Sequence, residues 1–271
     1  MNPVVTIALN DLRLLVRDRG TLFLTFAWPI LLALFFGVLG ANLDALATAP
    51  FINVSGQDAG QALATSAFRV ESMAPPDAFA VTLPQGMMWA TLACTATFGL
   101  SIVAERNRGT MLRLFVSPNS RATILGGKAL ACGSCIVLLL CCHVGFAALT
   151  GMASPQSLPL LAVAVISIAV AFVGIMMLLS VLVQNTQGAA GISWAVLMVM
   201  AMLGGGMMPR FLMPSWLQDL AVLSPVAWGI LALEGPLWRG HSLADMLPVC
   251  GALIAIGIAA FSVGAARFHY D

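Results

Sequence analysis

Apolar runs about as long as a bilayer is thick recur along this chain, and that recurrence restricts its fold more than any other feature. They lie near residues 21–40, 86–104, 122–150, 159–183, 190–208 and 245–266. At 1.5 Å per helical residue, about 20 residues cross the hydrocarbon core. Only 8% of the 271 residues are charged and 60% are hydrophobic, whereas a soluble domain is about 25% charged. So few charges cannot coat a water-soluble protein of this size. The expectation is an all-α membrane protein with six transmembrane helices. The run at 21–40 is longer than a signal-peptide core of about 7–15 residues and is read as a retained span.

Residues 3–19 are too polar to cross. Val5, Ala8, Leu9, Leu12, Leu15 and Val16 repeat at helical spacing, with Asn10, Asp11, Arg13, Arg17 and Asp18 on the other side. This predicts an amphipathic helix lying in the interface. Residues 41–85 hold several prolines and glycines and read as an extramembrane loop with little regular structure. Residues 209–240 contain Pro209, Pro214, Pro225 and Pro236 among many apolar side chains. They are too broken to span and too apolar for water. A re-entrant or interfacial pair of short helices on the outer side is expected, with Trp216, Trp228 and Trp238 at headgroup level.

Basic residues sort by side in the six-span arrangement. Arg13, Arg17, Arg19, Arg106, Arg108, Arg113, Arg121, Lys128 and Arg267 fall together, against Arg69, Arg210 and Arg239. By the positive-inside rule both termini are expected in the cytoplasm. The net charge of +1 gives no global basic field, so nucleic acid is not expected as a partner.

The chain shows no energy source of its own. Gly126-Gly127-Lys128 resembles the tail of a phosphate-binding loop. However, Ala129 stands where that loop needs Ser or Thr, and the segment opens an apolar run instead of following a strand. The centres of the six runs hold no Asp, Glu, Lys or Arg that could relay an ion. His143 is read as a packing residue. Cys132, Cys135, Cys142 and His143 share one side of the third run, yet Cys132 and Cys142 are about 15 Å apart along a helix axis. Neither metal nor cofactor is expected in this chain. The methionines around the fifth run, including Met198, Met200, Met202, Met207 and Met208, read as an adaptable apolar surface.

The most informative stretch is 105–121, ERNRGTMLRLFVSPNSR. Charges at its start give way to Met111, Leu112, Leu114, Phe115 and Val116, and Ser117-Pro118 breaks it. It reads as a short amphipathic cytoplasmic element able to dock a partner, or as a basic loop that only sets topology. With the following Leu125-Gly126-Gly127-Lys128, it closely resembles the loop between the second and third spans of type-2 export permeases of ATP-binding-cassette (ABC) transporters. Pro214-Ser215-Trp216-Leu217-Gln218 and Leu223-Ser224-Pro225-Val226-Ala227-Trp228 resemble that family's outer re-entrant segment.

The resemblance implies a single permease domain over 1–271. It would pair with a second copy or a homologous permease in the membrane lipid and bind two ATPase subunits, which carry ATP and magnesium. Coupling to the ATPase would involve Glu105, Arg106, Arg108, Gly109, Thr110, Leu112, Arg113, Ser117 and Pro118. Glu105 is read as opening the coupling helix and orienting the nearby arginines. Phe98, Trp194, Met198 and Met202 would line a substrate path for an amphiphilic, drug-like, lipid-like or glycan substrate. The alternatives are a non-transporting membrane subunit that recruits a soluble partner, and an intramembrane enzyme. The latter would need convergent His, Asp, Glu or activated Ser at membrane depth, and these are scarce.

Overall fold

The computed structural model describes residues 2–44, 77–110, 120–182, 186–210 and 213–268. Among them every regular element is helical. Helix α1 spans Pro3–Arg17, started by the Asn2 side chain accepting from the Val4 amide. Helix α2 covers 19–44 as Arg19–Leu22, a π-helical turn at Phe23–Ala27, and Trp28–Asp44. Between α1 and α2 the chain bends by 90°. Asp18 makes the corner: its carboxylate accepts from the Thr21 amide at 3.2 Å and from the Thr21 hydroxyl at 2.6 Å, so α2 begins with a satisfied N-cap.

Four long helices follow the pattern of apolar runs: α3 (Ala78–Asn107), α4 (Arg121–Leu149), α5 (Leu158–Leu182) and, last in the chain, α9 (Leu243–Ala266). These four are long and apolar enough to cross a membrane. Among the described residues the number rises to six if the α1–α2 pair and the pair at 215–239 each count as one bent span. Helix α6 (Thr186–Gly204) is a shorter apolar helix. Helices α7 (Ser215–Ala221) and α8 (Pro225–Glu234, continued by a π turn at Gly235–Arg239) meet at 89°, so the segment expected at 209–240 to hold a pair of short helices is broken between them.

One expectation changes here. The stretch 41–85 is helical at both ends. Helix α2 runs to Asp44, and α3 begins at Ala78 because Asp77 accepts from the Ala80 amide at 2.7 Å. Pro84 sits inside α3 and does not stop it. Residues 45–76 lie outside the described residues. Trp228 is less exposed than Trp216. It is half-buried, and its indole donates to the Val222 carbonyl at 2.8 Å.

The centre of the bundle is α3 packed with α5, both mostly buried, while α4 and α9 expose more of their length. Apolar burial alone drives helices together weakly in lipid, so close backbone approach matters. At the α5–α9 crossing, Gly174 faces Gly257 and Gly264 faces the backbone of Met177 and Leu178. Near its N-terminal end, α3 holds the turn after α6. Gln85 donates to the Gly205 carbonyl at 2.7 Å and Trp89 to that of Gly206 at 2.9 Å.

Candidate functional site

Three charged side chains from three helices meet at the foot of the bundle. Lys128 lies in the second turn of α4, a helix started by Ser120 accepting from the Thr123 amide at 3.2 Å. Its ammonium is 2% exposed and donates to Asp11 of α1 at 2.9 Å and to Glu105 of α3 at 2.5 Å. A buried ammonium is tolerated only with such partners. Asp11 is itself 8% exposed. Burial pushes its carboxyl above the ordinary value, against the pull of Lys128.

Glycine makes this meeting possible. A Cβ on Gly127 would sit 2.8 Å from Ile7 side-chain carbons and 3.1 Å from the Val4 carbonyl oxygen. Without a side chain there, α1 lies directly on α4 and Asp11 reaches the next residue, Lys128. The Gly-Gly-Lys that superficially resembles a nucleotide loop is thus a notch for α1.

This geometry corrects the reading of α1 as two-faced. Asp11 does not share the water-facing side with Arg13 and Arg17; it turns inward with Ala8 and Leu15, drawn by Lys128. It also corrects the placement of Glu105. That residue lies in the last turn of α3, not at the start of a coupling helix, and its carboxylate pairs with Lys128 instead of orienting Arg106 and Arg108. A carboxylate near a helix C-terminus opposes the helix dipole, and the lysine offsets that. Arg106 extends toward α5 and donates to the Ser180 carbonyl at 3.3 Å, where a cation suits the helix C-terminus.

Helix α3 ends in the usual left-handed way. Arg108 is its C-cap, and Gly109, at φ +69°, closes it with its amide on the Arg106 carbonyl at 3.1 Å. The Thr110 hydroxyl donates to the Glu105 carbonyl at 3.1 Å. Arg108, Gly109 and Thr110 are all exposed. Leu112, Arg113, Ser117 and Pro118 lie outside the described residues. The end of α3 is therefore joined to α1 and α4 through Lys128 and to α5 through Arg106. The chain leaving this junction at Thr110 can act on several helices together.

The residues expected along a substrate path divide into two groups. Trp194, Met198 and Met202 follow one another at a spacing of four along α6 and are 38%, 42% and 54% exposed. Phe98 is 3% exposed, inside the core of the chain, apart from that stripe. Cys132 and Cys135 are buried as packing residues, beside a third thiol, Cys94 of α3, whose sulfur lies 4.0 Å from the Cys132 carbonyl oxygen. Cys142 faces outward. The His143 Nδ1–H donates to the Leu139 carbonyl at 2.8 Å within its own helix.

Sequence reasoning missed the pairing of Asp11 with Lys128. The usable signal was a lysine at the head of an apolar helix, directly after two glycines and with a carboxylate inside a neighbouring amphipathic segment.

Comparison with known proteins agrees with this architecture. The chain is 27% identical over 183 residues to the inner membrane transport permease YhhJ of Escherichia coli strain K12, covering 66% of this chain, and equally so to the protein of that name from Shigella flexneri. The chain spans about half the length of these curated relatives, 48%. Residues 4–238 match the ABC-2 type transporter family, a region that takes in α1, the Asp11–Lys128–Glu105 triad and the broken pair α7–α8. With its apolar helices, the chain is a multi-pass membrane protein that belongs to the ABC-2 type transporter family.

Proposed function

We propose that this chain is the permease subunit of an ATP-driven exporter in a bacterial inner membrane, with both termini in the cytoplasm. Two such permeases, identical or homologous, enclose the path, and two ATPase subunits supply ATP and magnesium. The observation that carries the reading is the junction at the end of α3. Glu105, Lys128 and Asp11 tie one exposed chain exit to α1 and α4, and Arg106 adds α5. A partner that pushes on Arg108–Thr110 would move these helices as a group, which is what alternating access requires. Family membership and the relatives' description as transport permeases support the same reading.

The exposed Trp194–Met198–Met202 stripe suits the path side of α6. An apolar, adaptable stripe fits an amphiphilic, drug-like or lipid-like cargo, or the lipid part of a glycan carrier.

Two experiments test this. In the first, the chain is reconstituted in liposomes with its ATPase. The chain alone should hydrolyse no ATP, and the complex should hydrolyse it in a chain-dependent way. Glu105→Gln should lower that stimulation about tenfold, equivalent to about 1.4 kcal/mol of lost coupling, while the two subunits still co-purify. ATP turnover by the chain alone, or full stimulation in the variant, contradicts the proposal. A membrane subunit that only recruits its partner would bind the ATPase without altering turnover.

The second concerns topology. In a variant lacking the six native cysteines, Asn2→Cys and Asp271→Cys should resist a membrane-impermeant thiol reagent added to intact cells and react after lysis. Labelling of either from outside overturns the orientation.

A further inference from the structure

Helix α1 has a surface that the triad does not use. At 100° per residue its side chains fall on three faces. Ala8, Asp11 and Leu15 are buried against the bundle. Val5, Leu9 and Val16 form an apolar strip that is 39%, 38% and 65% exposed. Arg13 and Arg17, one turn apart and both exposed, form a third strip, and exposed Arg19 follows just past the 90° corner. Among the described residues of this stretch, Asp18 is held by Thr21 and Asp11 is turned inward to Lys128.

We propose that this corner is a docking site for an anionic phospholipid. The acyl chains lie along Val5, Leu9 and Val16, and the headgroup phosphate sits among Arg13, Arg17 and Arg19. The occupant is a lipid because the apolar and cationic strips adjoin on one helix lying beside the first apolar segment, as an interfacial helix does. It is anionic because a guanidinium favours phosphate oxygens, and a zwitterionic headgroup offsets its own phosphate charge. Lipid bound there pins the outer faces of α1, while Asp11 on the inner face reaches Lys128 and Glu105. Anionic lipid would thereby steady the coupling junction. This second part rests on the coupling role proposed above; the docking itself does not.

The test uses the full-length chain in bilayers with spin-labelled phosphatidylglycerol or spin-labelled phosphatidylcholine. The motionally restricted fraction gives each lipid's relative association. The protein should prefer phosphatidylglycerol, and the preference should weaken with added salt. Arg17→Gln alone should reduce the preference by roughly fivefold, as expected for one arginine near an anionic surface. Replacing Arg13, Arg17 and Arg19 together by Gln should abolish it, and replacing all three by Lys should restore it, which separates loss of charge from misfolding. Equal association of both lipids with the wild-type protein, or a preference that survives the triple Gln change, overturns the docking site.

The regulatory part is read separately, as ATPase stimulation of the complex in phosphatidylcholine with and without phosphatidylglycerol. Stimulation should rise with the anionic lipid and not do so in the triple Gln variant. If lipid preference is lost but stimulation never depended on lipid, docking stands and its link to the triad is overturned.

Discussion

Replacing Lys128 by methionine should destabilise the protein by about 3–5 kcal/mol, because it leaves two carboxylates facing a site built for an ammonium. Asp11 is 8% exposed and Glu105 22%, so neither can recover full hydration without moving its helix. Methionine matches the length of the lysine stem, and packing is nearly unchanged. The loss is therefore electrostatic. The companion experiment is the combined variant Asp11→Asn, Glu105→Gln and Lys128→Met. It removes every charge of the triad, so it should recover much of the lost stability even though it carries three changes. Unfolding followed by circular dichroism in mixed detergent measures both. A Lys128→Met protein as stable as wild type, or a combined variant no better than the single one, contradicts the description of the junction. Such recovery of stability without recovery of ATPase stimulation would show that the charges serve coupling more than folding.

Gly257→Val should have a comparable effect at the other main contact, between α5 and α9. A Cβ on Gly257 would lie 2.5 Å from the Val170 carbonyl oxygen and 2.8 Å from the Ala171 Cα. The obstacle is backbone, which cannot rotate away as a side chain can, so the helices must separate. Overpacking typically costs about 1–3 kcal/mol, and separation also loses the close contact at Gly174, whose own Cβ would strike the Gly257 carbonyl. Gly251 is the control on the same helix, since a Cβ there meets nothing within 4 Å. Folded yield by size-exclusion chromatography should fall sharply for Gly257→Val and little for Gly251→Val. Equal yields would mean that the α5–α9 contact is looser than described.

The spans were legible because lipid imposes a long apolar run on any helix that crosses it, and the runs near 86–104, 122–150, 159–183 and 245–266 coincide with α3, α4, α5 and α9. The break at 209–240 was legible from its prolines, with Pro225 now in the first turn of α8. The triad was not. A polarity pattern sorts residues into apolar and polar, and Asp11 is polar whether it faces water or Lys128. Its partner is 117 positions away, and only the close approach allowed at Gly127 decides which face of α1 turns inward. Glu105 was misplaced because the end of α3 is set by Gly109 in its left-handed conformation, two residues beyond the last helical one. Phe98 and the α6 stripe separated for a similar reason. Both are apolar at helical spacing, and only packing shows that one side is filled by the protomer while the other is open.

The central claim is that an ATPase docks where α3 ends, and site-directed crosslinking tests it most directly. A photo-crosslinking side chain is placed at Thr110, at the exposed exit of α3, and another at Gly240, at the opposite end of the bundle. With the ATPase present in native membranes, Thr110 should form a covalent adduct with it, in a yield that changes when ATP and vanadate trap the closed ATPase. Gly240 should form none. An adduct at Gly240, or none at Thr110 while the two proteins still co-purify, would contradict the account.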